Sequence, residues 1–239
     1  MTALDRRSRG GSAGTSPAAK LNWLRAGVLG ANDGIISTAG LVVGVAGATS
    51  AIGPILTAGI AGLVAGAVSM ALGEYVSVSS QRDAERVLIA EERRKLAEHP
   101  EAELEQLAGI YRARGMSEST ARTAAIEVTA HDPYTAHRDA HVGLDPDDLT
   151  NPVHAAISSG ISFTAGAILP ILAMWLTPAG VRIPVTFVAV LLALAITGGS
   201  SAAAGGAGRV RAMLRIVLGG ALAMIVTYGV GRLLGVSGI

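Results

Sequence analysis

Four long stretches of the chain, 34–73, 149–181, 183–208 and 216–231, contain no Asp, Glu, Lys or Arg. Runs of this kind constrain the fold more than any single motif. A helix crossing the roughly 30 Å hydrocarbon layer of a bilayer needs about 20 predominantly apolar residues. Inside that layer the backbone must satisfy its own hydrogen bonds, which leaves only helices and closed barrels. No long period-2 alternation of a barrel strand occurs, so the chain reads as an all-α membrane protein.

The first uncharged stretch is too long for one crossing, and "GATSAIGP" breaks it, because Gly and Pro end helices. Five transmembrane helices result, at about 22–48, 55–80, 151–177, 183–203 and 212–235. Composition agrees: 15% of the residues are charged, against about a quarter in soluble domains. Cysteine is absent, which excludes a disulfide framework and any thiolate metal site.

Charge divides the chain into four regions. Residues 1–20 are polar, Gly/Ser-rich and basic, without the apolar core of a signal peptide, and read as a disordered cytoplasmic tail. Residues 21–80 hold spans 1 and 2. Residues 81–149 form a helical domain, and 82–148 carry 15 of the 18 acids but only 9 of the 19 bases. Residues 150–239 hold spans 3 to 5. Arginine and lysine gather in the tail, in the middle domain and between spans 4 and 5. The positive-inside rule therefore puts the N-terminus and the acidic domain in the cytoplasm and the C-terminus outside. Arginine outnumbers lysine 17 to 2, a bias of GC-rich genomes that points to a bacterial plasma membrane.

The middle domain reads as three helices. The first continues span 2 without interruption to Pro100. Leu104, Leu107, Ala108 and Tyr111 mark one face of the second. Gly115 ends that helix and Ser117 caps the third. A further short helix is expected around 134–142, after Pro133.

Only two acids, Asp33 and Glu74, lie within spans. A charge at the bilayer centre costs at least roughly 2.5–3.5 kcal/mol, so such residues usually line a pathway. Two readings of Asp33 stand open: a pathway carboxylate, or a kink stabiliser paired with Asn32 or a serine. Glu74 is either functional or snorkels to the interface. Met70, one turn before Glu74, is core filler or a thioether ligand beside a carboxylate, a combination suited to first-row divalent metals. In span 1, Gly30 and Gly34, and Gly40 and Gly44, have the spacing of close helix contacts, which fits a second copy packed across a dimer axis.

The middle domain offers the remaining ligands. His137 and His141 share a helix face, as do Glu127 and His131, and Glu91, Glu92, Glu98, Glu101, Glu103 and Glu105 crowd its first two helices. Mixed carboxylate and imidazole suits Fe²⁺, Mn²⁺, Co²⁺ or Zn²⁺; the alternative is a solvated charged face. No Walker loop, HExxH, GxSxG or nucleophile–base pair is present, so the chain is not expected to be an enzyme.

The stretches "GVLGANDGIISTAGLVVGVAGA", "AGLVAGAVSMALGEYVSVSSQRDAE", "EERRKLAEHPEAELEQLAGIYRARG" and "NPVHAAISSGISFTAGAILPIL" resemble the vacuolar iron transporter family. The resemblance covers nearly everything from residue 21 onward. It implies a five-span homodimer that exports Fe²⁺, and often Mn²⁺, from the cytosol in exchange for protons, along a path between the first helices of two subunits. It assigns Asp33 and Met70 as metal ligands in the membrane, and glutamates of the middle domain as the cytosolic capture site. That capture site departs from the family's Glu-x-x-Glu pattern. Lys95 follows Glu92, Gln106 follows Glu103, and His141 stands where an acid is expected. Fewer carboxylates and more imidazole tilt preference toward Zn²⁺ or Co²⁺.

The expectation is a proton-coupled divalent metal exporter in a lipid bilayer, homodimeric through span 1. Its metal residues are Asp33, Met70, Glu74, Glu92, Glu103, His137 and His141. Metal ions and protons are its partners, with no resident cofactor and no nucleic acid. The alternative is a membrane metal sensor that recruits a partner without transporting.

Overall fold

The computed structural model describes residues 17–137, 140, 151–206 and 208–236; the first sixteen residues of the expected tail, and 141–150 with His141, lie outside them. The elements are α1 (Pro17–Ala48), α2 (Ile52–Glu98), α3 (Pro100–Ala113), α4 (Glu118–His131), α5 (Pro133–His137), α6 (Pro152–Leu176), α7 (Arg182–Ala204) and α8 (Arg209–Val236). No strand occurs among the described residues. Five helices, α1, α2, α6, α7 and α8, are long and apolar enough to cross a membrane. The chain is an integral membrane protein of the all-α class.

Three helices begin ahead of expectation, α1, α2 and α8, the last at Arg209. α1 starts at Pro17, so the last residues of the expected tail are helical. α2 starts at Ile52 and holds Pro54 in its first turn. Proline suits a first turn because its missing N–H would be unpaired there in any case. The short helix expected at 134–142 is described as α5, ending at His137.

The chain divides into two compact units, Met1–Val76 with Pro152–Ile239, and Ser77–Asn151. In the first, α1 is the hub, packed along α6 and α8 and more lightly along α7. Of its span 44% is buried, against 11% for α2 and for α8. The core joins Ile35, Ala39, Val42 and Val43 of α1 to Ile171 and Met174 of α6, Val190 and Leu194 of α7, and Met224 of α8.

Glycine makes this contact possible, and in a way that corrects the sequence reading. A Cβ on Gly34 would overlap the Phe163 carbonyl oxygen, and one on Gly166 would overlap the carbonyl of Ala31. A Cβ on Gly231 of α8 would overlap the Gly44 carbonyl of α1 in the same manner. The glycines of α1 thus seat helices of the same chain, not a second copy. Hydroxyls of the spans return hydrogen bonds to their own helix: Thr164 to Gly160 O, Ser200 to Ile196 O and Thr227 to Ala223 O. Arg182 donates to Thr177 O at 3.4 Å and to Ser50 O at 3.3 Å, which places the α1–α2 and α6–α7 turns at one end of the bundle.

In the second unit Leu107 and Ala108 of α3 pack on Ala125 of α4, flanked by Leu104, Tyr111 and Ala136. Gly115 takes φ +98°, open to glycine, where α3 ends. Ser117 Oγ then accepts from Thr120 N and starts α4. Glu105 ties α3 to α4 through Arg122 at 2.6 Å. The Arg93 guanidinium lies 4.6 Å from the Tyr134 ring centre, joining α2 to α5.

Candidate metal centre

Asn32 and Asp33 are neighbours on α1 with different surroundings. Asn32 Oδ1 accepts a 2.6 Å hydrogen bond from Thr197 Oγ1 of α7. Asp33 instead lines a cavity of about 200 Å³ with Ser37, Thr38, Ser69, Met70 and Phe163. The carboxylate and the thioether, brought by two different helices, therefore share one space in the membrane-spanning unit. The Phe163 ring lies over Gly66 of α2, where a side chain would collide with it. The cavity's hydroxyls are not all engaged: Ser37 donates to the Asp33 carbonyl, whereas Thr38 Oγ1 is buried with no partner. Glu74 does not line this cavity. It lies one turn beyond Met70, half-buried.

Asp33 also belongs to an exposed stripe, Leu29, Asp33, Ser37 and Leu41, spaced four apart along α1. The other faces of α1 are covered by α6, α7 and α8; Asp33, Ser37 and Leu41 border α2 across the cavity yet keep an exposed edge in the single chain. Gly40 and Gly44 meet Thr227 of α8 and take no part in it.

The second centre lies in the other unit. The acids of α2 there fall into two sets. Glu91 pairs with Lys95 at 3.2 Å and Glu98 with Arg94 at 3.5 Å, all on the solvent face. Glu92 turns inward and is buried, as is Glu103 of α3. Between them stands His137 of α5, fully buried, with Nδ1 at 3.8 Å from Glu92 Oε1 and 3.7 Å from Glu103 Oε2. One ligand atom from each residue fits within 4.8 Å of the others.

These separations exceed hydrogen-bond length, and Glu92 Oε1 and Glu103 Oε2 have no hydrogen-bond partner. Two buried carboxylates are costly unless a cation compensates them. Each carboxylate oxygen lies 3.7–3.8 Å from His137 Nδ1, short enough for one ion to reach both members of either pair at roughly 2.1 Å. Two carboxylate oxygens and an imidazole nitrogen match Fe²⁺, Mn²⁺, Co²⁺ or Zn²⁺.

The other sequence candidates lie elsewhere. Lys95 and Gln106 do not enter the cluster; the first pairs with Glu91 and the second is exposed on α3. Glu101, Glu105, Glu127, His99 and His131 are exposed. Glu127 and His131 line a separate open groove with Tyr111 and Asp132. His141 lies outside the described residues. Sequence reasoning missed Thr38, Ser69 and Phe163. Their nearness to Asp33, Met70 and the "SGISF" run was the available signal.

Among the described residues, then, the chain is an integral membrane protein with two candidate cation sites, one in a membrane-spanning unit and one in an acidic helical unit. It belongs to the vacuolar iron transporter (VIT) family, whose family model matches residues 24–232. The chain is 40% identical to vacuolar iron transporter homolog 1 of Oryza sativa subsp. japonica, covering 98% of this chain and 83% of that protein. Identity is also 40% to the vacuolar iron transporter of Acanthamoeba castellanii, over 88% of this chain and 78% of the other. For vacuolar iron transporter homolog 2 of Arabidopsis thaliana it is 37%, over 91% and 87%.

Proposed function

We propose that this chain is a proton-coupled exporter that moves Fe²⁺ or Mn²⁺ out of the cytosol. Its relatives are named iron transporters, which supports a metal ion as cargo. The observation that carries the reading is the convergence of Asp33 and Met70 on one cavity between α1 and α2. An acidic oxygen and a soft sulfur together suit a borderline divalent ion that must be held briefly on its way through the membrane-spanning helices.

Glu92, Glu103 and His137 capture cytosolic metal, and Asp33 and Met70 receive it in the membrane. Asp33 takes either the metal ion or a proton, which couples their movements because both cannot occupy the same carboxylate. Glu74, half-buried one turn from Met70, is the second proton-exchange residue. The imidazole in the capture cluster supports acceptance of Zn²⁺ and Co²⁺ alongside Fe²⁺ and Mn²⁺.

A homodimer through α1 is part of the reading. A carboxylate on an exposed face of a membrane-spanning helix is expensive against lipid, and a second α1 covers the Leu29–Asp33–Ser37–Leu41 stripe. The Lys and Arg distribution supports a cytoplasmic N-terminus and acidic unit, with the C-terminus outside. The arginine-rich composition supports a bacterial plasma membrane.

A sensor that binds metal without moving it would use the Glu92 cluster and has no need of an acid and a thioether sharing a cavity in the bilayer. The test is metal flux in proteoliposomes under a pH gradient, with Fe²⁺, Mn²⁺, Co²⁺ and Zn²⁺ in turn. Metal-driven proton movement that disappears in Asp33→Ala is the expected result. Undiminished proton movement in that variant overturns the mechanism, and absence of flux in the wild type favours the sensor.

A further inference from the structure

We infer that Thr38 is a third ligand of the membrane cavity, a neutral oxygen that holds the cargo ion directly or through one water. The inference rests on the transport reading of that cavity and adds a residue to it.

The observation is an orphaned hydroxyl. Thr38 is 2% exposed, its Oγ1 has no hydrogen-bond partner, and the residue lines the cavity that holds Asp33 and Met70. Threonine in an apolar helix normally returns its hydroxyl to the carbonyl four residues back. Thr164 and Thr227 do so in this protein, to Gly160 and Ala223. Thr38 does not, although Gly34 lies at that spacing; Thr186 of α7 is unpartnered too, but only Thr38 lines the cavity with Asp33 and Met70. Burying a polar group unpaired opposes folding, so an unpaired buried hydroxyl calls for a particular explanation.

The chemistry of the cavity supplies one. A hydroxyl has two acceptor lone pairs besides its single proton. Its lone pairs can replace part of an ion's hydration shell without adding charge to the membrane. Unlike Asp33, it offers no site where a proton competes with the metal ion. A liquid water occupies roughly 30 Å³, so about 200 Å³ admits an ion with several waters still attached. The donors then differ in hardness: carboxylate and hydroxyl oxygen on α1, thioether sulfur on α2. Oxygen donors matter most for Mn²⁺, the hardest of the candidate cargo ions, and less for Co²⁺.

The test is Thr38→Val, which keeps the branched shape and removes the hydroxyl, compared with Thr38→Ser in full-length protein in proteoliposomes. Mn²⁺ flux should fall at least tenfold in Thr38→Val, with a smaller loss for Co²⁺, while Thr38→Ser stays within about twofold of wild type. Metal-free Thr38→Val should melt no lower than wild type, since it removes an unpaired polar group. Wild-type flux in Thr38→Val overturns the inference. So does a Thr38→Ser variant as inactive as Thr38→Val, because that outcome makes Thr38 a packing residue. Asp33→Ala in the same vesicles separates the two ideas. If it abolishes flux while Thr38→Val does not, the transport reading stands and the Thr38 assignment falls. If the wild type moves no metal at all, both fall.

Discussion

Glu92 and Glu103 come from different helices and approach the same nitrogen of His137, at 3.8 and 3.7 Å. Neither distance is a hydrogen bond, and both facing oxygens are buried without a hydrogen-bond partner. The arrangement is poor as a hydrogen-bonded network and good as a set of metal ligands. Metal that binds only the folded state stabilises it, by about 2.7 kcal/mol at a hundredfold excess over Kd. Wild-type protein in detergent should therefore show a clear rise in melting temperature with Zn²⁺ or Mn²⁺. In His137→Ala and in the Glu92→Gln, Glu103→Gln double variant the rise should be largely lost, and calorimetric titration should find one fewer ion per chain. An unchanged rise in both variants refutes a metal site here.

Met70 permits a cleaner test in the membrane cavity, because Leu replaces Met in packed interiors for less than about 1.5 kcal/mol. Met70→Leu should fold and melt close to wild type yet lose most metal flux, since only the thioether is removed. Equal flux in the two proteins means that Met70 merely fills space.

The architecture was legible in the sequence where charge decides it. Uncharged runs separated by charged or Gly/Pro-containing breaks set five helices, and the absence of Gly or Pro between 74 and 99 let α2 run on to Glu98. Glycine spacing was legible only in part. It signals close backbone approach and not the identity of the approaching helix, so Gly34 and Gly44 pointed to a second copy where α6 and α8 stand. The acids posed the same problem. Adjacent glutamates on a helix are only about 100° apart, and nothing local states that Glu91 will meet Lys95 in solvent while Glu92 turns inward. Burial of His137 was unreadable for another reason: α5 is one short turn whose place is set by its packing on α4 and not by its own pattern.

The α1–α6 seam should be unusually intolerant of volume. Gly34→Ala and Gly166→Ala each drive a Cβ into a backbone carbonyl, which cannot give way as a side chain can. Overpacking typically costs 1–3 kcal/mol, and backbone clashes belong at or above the upper end of that range. Gly73→Ala in α2 is the control, since nothing lies within 4 Å of its added Cβ and helix propensity favours alanine. Thermal melting in one detergent should give Gly34→Ala and Gly166→Ala well below wild type and Gly73→Ala at or above it. Similar melting of all three removes the argument for backbone contact.

Asp132 caps the start of α5, the helix that carries His137. Its Oδ2 accepts from Thr135 Oγ1 at 2.7 Å and its Oδ1 from Thr135 N at 3.1 Å. The Thr135 side-chain bond, followed by the backbone bond, holds the carboxyl below its ordinary value of 3.8. A native pKa lowered in this way means that the ionised form is favoured by folding. The cap's contribution is therefore complete above pH 3.8 and fades as the pH falls through the lower native value. Asp132→Asn keeps a side-chain acceptor that does not titrate, so it should lack this component of acid sensitivity. The difference in melting temperature between wild type and Asp132→Asn should be flat from pH 7 to about 5 and should change in favour of the variant below about 4. The other carboxylates titrate in both proteins and cancel in that difference. A difference that stays flat into the acid range shows that Thr135 does not hold the Asp132 carboxylate in solution.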